Sequence, residues 1–244
     1  MTMTIMFAVL FYFAAGLFAV GLIYRITSYA RIPAPLKIPT TPAPRTRFGV
    51  VMLMAREVFF FQSLFKASLW TWLFSTMFHA GLALVLLRHI RYFVNPVWAW
   101  VEFIQPFGIY AGFLMVAGLL GLWARRFLVD RVRYISTPSD HLMLALLIGI
   151  GVSGLVMKFI THTDIVAIKN FFMGLINFTI NPLPTDLMIY THLSLIALLM
   201  IIFPFSKLLH APGLFFSPSR NQVENSRDVR HIAPWAAKLE SGKQ

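Results

Sequence analysis

LMIYTHLSLIALLMIIFPFSKLLH, residues 187–210, and LWTWLFSTMFHAGLALVLLRHIR, residues 69–91, decide how this chain is read. Each is apolar over the roughly 20 residues that a helix needs to cross a bilayer. Each also carries two histidines: His192 and His210 on the first, His79 and His89 on the second. An ionisable side chain inside a membrane helix is costly to bury, so it marks a functional position and calls for a partner.

The rest of the composition agrees with a membrane setting. The chain has 244 residues, 58% of them hydrophobic and only 12% charged, where a soluble domain carries about 25% charged residues. There is no cysteine, so disulfides, Cys-ligated iron–sulfur clusters and covalent haem attachment are excluded. The net charge of +12 fits basic inner loops better than nucleic acid, because no soluble domain is present to bind one.

Working outward, the apolar runs predict an all-α integral membrane bundle of five transmembrane helices, over about 3–24, 69–93, 107–124, 141–160 and 185–210. The positive charge follows the first run instead of preceding it, so that run reads as an uncleaved helix, not a signal peptide. Pro33, Pro35, Pro39, Pro42 and Pro44 make an extended linker. Residues 48–66 and 165–180 are apolar with polar interruptions and predict interfacial helices in the two long loops. Thr137-Pro138-Ser139-Asp140 is a helix start, and Asn95-Pro96 and Asn181-Pro182 are breaks. Residues 1–216 form the membrane domain and 217–244 a polar tail.

Placing the amino terminus outside puts Arg25, Arg31, Lys37, Arg45, Arg47, Arg56, Lys66, the four arginines of 125–133 and the six basic residues from Lys207 onward inside. Arg88, Arg91, Lys158 and Lys169 remain outside, as the positive-inside rule requires. The predicted location is the cytoplasmic membrane, with a periplasmic amino terminus and a cytoplasmic carboxyl terminus.

In this topology the second and fifth spans are antiparallel. Depth pairs His89 with His192 at the outer side and His79 with His210 at the inner side. Ten residues on a helix rise about 15 Å and eighteen about 27 Å, so tilt, or a bend at Pro204, must absorb the difference. Two imidazoles per level suit the two axial positions of a haem iron, an arrangement without an open coordination site that fits electron transfer. The alternative is a haem-free anchor or transporter subunit whose histidines serve packing or proton handling; the lack of mid-span carboxylates weighs against transport. His141, beside Asp140, reads as a helix-end residue, His162 as a candidate to face a quinone headgroup, and His231 as solvated.

The run from His192 to His210, with Phe203-Pro204-Phe205-Ser206-Lys207-Leu208-Leu209-His210, resembles the cytochrome b subunit of respiratory nitrate reductase, the NarI family. Phe215 to Gln222, Arg230-His231 and Pro234-Trp235 resemble more closely its DsrM branch, from the dissimilatory sulfur-metabolism complex. The resemblance implies two haems b, with His79, His89, His192 and His210 as iron ligands. It implies menaquinone or ubiquinone as substrate, and an oxidoreductase subunit acting only within a complex. It also implies a DsrK-type cytoplasmic iron–sulfur partner of heterodisulfide-reductase type, periplasmic cytochrome c and iron–sulfur subunits, and a second membrane subunit. The alternative within the family is the nitrate reductase gamma subunit itself. No lysine stands near Ile109, where that family's quinol lysine is expected; the nearest polar groups are Glu102 and Gln105. Arg88, next to a ligand, is a candidate for a haem propionate or a quinone oxygen, and the quinone site has no other assigned residue.

Overall fold

The computed structural model describes residues 2–32, 38–225, 227–228, 232 and 234–242. Among these, all regular elements are helical. They are α1 (Thr2–Arg31), α2 (Arg47–Phe60), α3 (Gln62–Ala67), α4 (Leu69–His89), α5 (Ala99–Leu128), α6 (Asp130–Ile135), α7 (Pro138–Phe159), α8 (Ile165–Ile176), α9 (Leu187–Ile202), α10 (His210–Gly213) and α11 (Pro234–Ser241), with short 3-10 turns between some of them. Five segments are long and apolar enough to cross a membrane: Thr2–Arg31, Leu69–Tyr92, Ala99–Leu128, Pro138–Phe159 and Leu187–Phe205. The all-α architecture with five spans, and shorter helices in both long loops, is as the sequence predicts.

Three of the spans differ in extent from their expected bounds. The first runs on to Arg31, past its expected end at 24. The third begins at Ala99, not near 107, and carries Pro106 inside it. Glu102, Gln105 and Pro106 read as a polar, broken lead-in. In the fold, Gln105 Nε2 donates to Val101 O (3.2 Å) on its own helix and to Arg88 O (3.4 Å) on the neighbour, which ties this turn down. The fifth α-helix stops at Ile202 and does not run to His210. Pro204 has no N–H to continue the ladder, and Ser206 is extended (φ −101°, ψ 170°) with its hydroxyl accepting from Leu208 N. His210 therefore opens a separate turn, α10, and the straight-helix rise of about 27 Å for eighteen residues does not apply.

The chain divides into two compact units. The first comprises Met1–Leu17 and Leu64–Ile201. Without water between lipid-embedded helices, close packing supplies the association energy, and small residues permit it. α4 and α5 meet in this way. A Cβ at Gly118 would lie 2.6 Å from Phe78 N, and one at Gly81 2.7 Å from Met115 N, so the two backbones touch where only glycine fits. Gly112 and Gly151 similarly admit Leu155 and Val116 between α5 and α7. α7 starts with a capping box, Thr137 with Asp140, and Arg126 reaches Asp140 at 3.6 Å. α8 is amphipathic; its Phe171 and Leu175 join Phe7, Phe11, Leu183, Ile189 and Leu193 in one apolar cluster. Tyr12 Oη donates to Leu175 O (2.8 Å), and Asp164 caps the start of α8 by accepting from Val166 N and Ala167 N.

The second unit comprises Phe18–Ser63 and Ile202–Gln244. Here the later half of α1 packs on the Pro204 turn, with Arg25 Nε donating to Pro204 O (3.3 Å) and Phe18 meeting Phe203. The segment after Pro212 is tied to the linker before α2. Thr40 N donates to Ser219 O (2.9 Å) and Glu224 N to Pro44 O (2.9 Å). Arg220 pairs with Glu57 at 3.0 Å, and Glu57 also accepts from Ser63 Oγ at 2.7 Å.

Candidate functional site

The four histidines paired from the sequence share one chemical feature. His79 Nδ1 lies 2.8 Å from Ser75 O, His89 Nδ1 2.6 Å from Val85 O, and His210 Nδ1 2.9 Å from Lys207 O. A carbonyl oxygen can only accept, so each Nδ1 carries the hydrogen. His192 reaches the same state by a different route. Its Nδ1 lies 2.8 Å from Ser153 Oγ, whose own hydrogen goes to Ile150 O at 3.0 Å. The serine lone pair therefore receives Nδ1–H. In the neutral form of each ring the lone pair is then on Nε2, the nitrogen that ligates a metal, and the partner at Nδ1 fixes the ring's orientation.

The sequence elements behind this are simple. Within α4, the residue four positions before each histidine presents its carbonyl along the same face, and the side chain leans back toward that turn. His192, in the middle of α9, is buried and takes its acceptor from α7. Gly154, next to Ser153, leaves room for it: a Cβ there would stand 3.3 Å from His192 Cε1. His79 and His89 are half-buried, and His210 is exposed in the second unit. Within the first unit, α4 packs backbone to backbone on α5, whereas α4 and α9 share no such close packing. Imidazoles with Nδ1 engaged and the lone pair on Nε2 could ligate a metal through Nε2. Among the described residues, no three His, Cys, Asp or Glu side chains converge; two imidazoles per iron are enough where a porphyrin supplies the other donors.

Of the remaining histidines, His162 shares this tautomer, its Nδ1 lying 3.1 Å from Ile160 O, and His141 does not. His141 Nδ1 accepts from Trp123 Nε1 (3.1 Å), which puts its own hydrogen on Nε2, and its ring packs on Phe127. It is the helix-end residue the sequence suggested. His162 is exposed in the loop after α7, with φ 50°. His231 lies outside the described residues, as does Arg230.

Arg88 does not point away alone. Its Nε donates to Gln105 Oε1 (3.2 Å), and Arg91 Nη1 donates to the same oxygen (2.9 Å). Gly108 makes room for Arg88 against α5, since a Cβ there would lie 2.8 Å from Arg88 Cβ. Glu102 is exposed in the first turn of α5. Sequence reasoning missed Ser153 and Arg91. A lone hydroxyl amid the apolar fourth span was the available signal for the first; nothing in the sequence pairs Arg91 with Gln105.

Together these features define a helical protein with five segments long and apolar enough to cross a membrane, with His79, His89 and His192 standing on those segments. Residues 62–221 match the model of the nitrate reductase gamma subunit family, and the chain belongs to that family. It is also similar to two proteins described as Hdr-like menaquinol oxidoreductase cytochrome b-like subunits. The one from Archaeoglobus fulgidus is 37% identical, over 92% of this chain and 81% of that protein. The one from Archaeoglobus profundus is 32% identical, over 92% and 80%.

Proposed function

We propose that this chain is the dihaem cytochrome b subunit of a quinone-linked oxidoreductase complex. His89 and His192 hold one haem b near the outer surface, and His79 and His210 hold a second near the inner surface. The carrying observation is the tautomer that these four histidines, at the ten- and eighteen-residue spacings, have in common; His162 has it too but stands in an exposed loop. The second pair rests on that tautomer and on sequence spacing. When bound, the haems supply one-electron carriers across the apolar core. The chain's own residues orient the rings through Nδ1, bury His192 and keep the spans closely packed. The five-span order and the basic loops support an amino terminus outside and a carboxyl terminus inside, in the cytoplasmic membrane.

The relatives' description as menaquinol oxidoreductases supports menaquinol over ubiquinol as the substrate. Their Hdr-like character supports a cytoplasmic iron–sulfur partner of heterodisulfide-reductase type, as in DsrK, over a nitrate reductase. Tail motifs Phe215 to Gln222 and Pro234-Trp235 support placement with DsrM, in a complex with periplasmic cytochrome c and iron–sulfur subunits and a second membrane subunit. The chain contributes the quinone-side redox centres.

The test is a dithionite-reduced minus oxidised spectrum of the assembled complex with its haem-to-protein ratio, for wild type and for His→Ala at each of the four positions. Two low-spin haems b are expected, with His89→Ala and His192→Ala removing one and His79→Ala and His210→Ala the other. An assembled wild-type complex without haem overturns the reading and returns the chain to the anchor class.

A further inference from the structure

Two guanidinium groups at the end of α4 converge on one neutral oxygen. Arg88 Nε and Arg91 Nη1 both donate to Gln105 Oε1, at 3.2 and 2.9 Å. Gln105 is itself held by its amide nitrogen, which donates to Val101 O and Arg88 O. Both arginines are half-buried, and among the described residues neither pairs with a carboxylate. Two cations sharing a single uncharged acceptor at a membrane-helix end lack the counter-charge that partly buried ions require. Each guanidinium uses one N–H edge on Gln105 and keeps further donors in a planar fork suited to carboxylate. The cluster brackets His89 in sequence, and Gly108 on α5 admits the Arg88 side chain at a place where any Cβ would collide with it.

We infer that Arg88 and Arg91 form a two-guanidinium clamp for the propionate carboxylates of the haem held by His89 and His192, and that Gln105 is the residue that positions the clamp. This rests on the dihaem reading above. Beyond holding the group, the clamp sets its electronics. Ferric bis-imidazole haem carries one more positive charge than ferrous, so nearby cations disfavour the oxidised form and raise that haem's midpoint potential. The amide of Gln105 accepts from both arginines without neutralising either, which a carboxylate at this position would do.

The experiment is a potentiometric titration of the assembled complex, followed in the haem bands, for wild type, Arg91→Gln, Arg91→Lys and Gln105→Leu. Arg91→Gln is expected to lower the midpoint of the haem that His192→Ala removes and to leave the other unmoved. At fixed potential the reduced-to-oxidised ratio of that haem falls on the order of tenfold, which for a one-electron couple is about 59 mV. Arg91→Lys keeps the charge and restores most of the shift. Gln105→Leu lowers the same midpoint by less, because both charges remain but are no longer held together. A purely structural role changes haem occupancy and not its potential. Should Arg91→Gln lose the haem altogether, the Lys and Leu variants carry the same test. Unmoved midpoints with both haems bound overturn the inference, as does an Arg91→Lys shift equal to that of Arg91→Gln. Unmoved midpoints with loss of co-purifying anionic lipid assign the pair to lipid phosphate instead. A wild-type complex without haem defeats the dihaem reading itself, a distinct outcome.

Discussion

Removing the Ser153 hydroxyl tests the site at its most buried point. In Ser153→Ala, His192 Nδ1–H loses the acceptor now 2.8 Å away. His192 is only 9% exposed, so water does not readily replace it. A buried donor left without a partner costs about 1–3 kcal/mol, and tenfold in affinity corresponds to about 1.4 kcal/mol. On the dihaem proposal, haem at the His89/His192 level is therefore expected to bind roughly 5- to 150-fold more weakly, in line with the tenfold to hundredfold losses typical of partners behind a metal-ligating histidine. Ser153→Thr keeps the hydroxyl and its two contacts. The assay is the rate and extent of haem transfer from the detergent-solubilised complex to an excess of a haem-scavenging apoprotein. Ser153→Ala should lose one of two haems faster, with Ser153→Thr close to wild type. Equal retention in all three proteins would refute the argument that Ser153 fixes His192.

Three further outcomes follow from the packing. Gly118→Ala should lower thermal stability by about 1–3 kcal/mol through overpacking, because its Cβ meets the backbone of Phe78 at 2.6 Å; Gly16→Ala, with nothing within 4 Å, should show no loss in the same melt. Arg220→Ala leaves Glu57, 10% exposed at its side chain, with Ser63 alone; faster limited proteolysis within 38–44 and 217–225 is expected, and unchanged cleavage would argue that the ion pair does not hold this segment. Asp164→Ala removes the acceptor for two N–H groups at the start of α8 and should cost about 1 kcal/mol, read as faster amide exchange at Val166 and Ala167.

The spans were legible because hydrophobic run length in a membrane chain is a direct physical requirement, and the histidines were legible because they interrupt such runs. The start of α5 was not. Gln105 and Pro106 carry break signals, and the bond from Gln105 to Arg88 O that offsets them joins residues 17 apart. The end of α9 was half legible: Pro204 announced a bend, while the extended Ser206 that detaches His210 from the helix depends on one side-chain cap. The tail beyond Pro212 looked merely polar, since pairings such as Thr40 with Ser219 leave no local pattern. Ser153 shows the same limit at the site, because its value lies in facing His192 across 39 positions.

On the dihaem proposal, the glycine seam between α4 and α5 bears on the distance electrons would travel. With backbones in contact at Gly81 and Gly118, the two helices make one stiff beam, and His79 and His89 are marks on it about 15 Å apart by helix rise alone. Tunnelling falls steeply with distance, so a spacing that drifted with bilayer thickness would make the transfer rate follow lipid composition. On this beam the interval belongs to the covalent chain. A thicker or thinner membrane can tilt the beam but cannot stretch the interval, which leaves the chain carrying its own ruler.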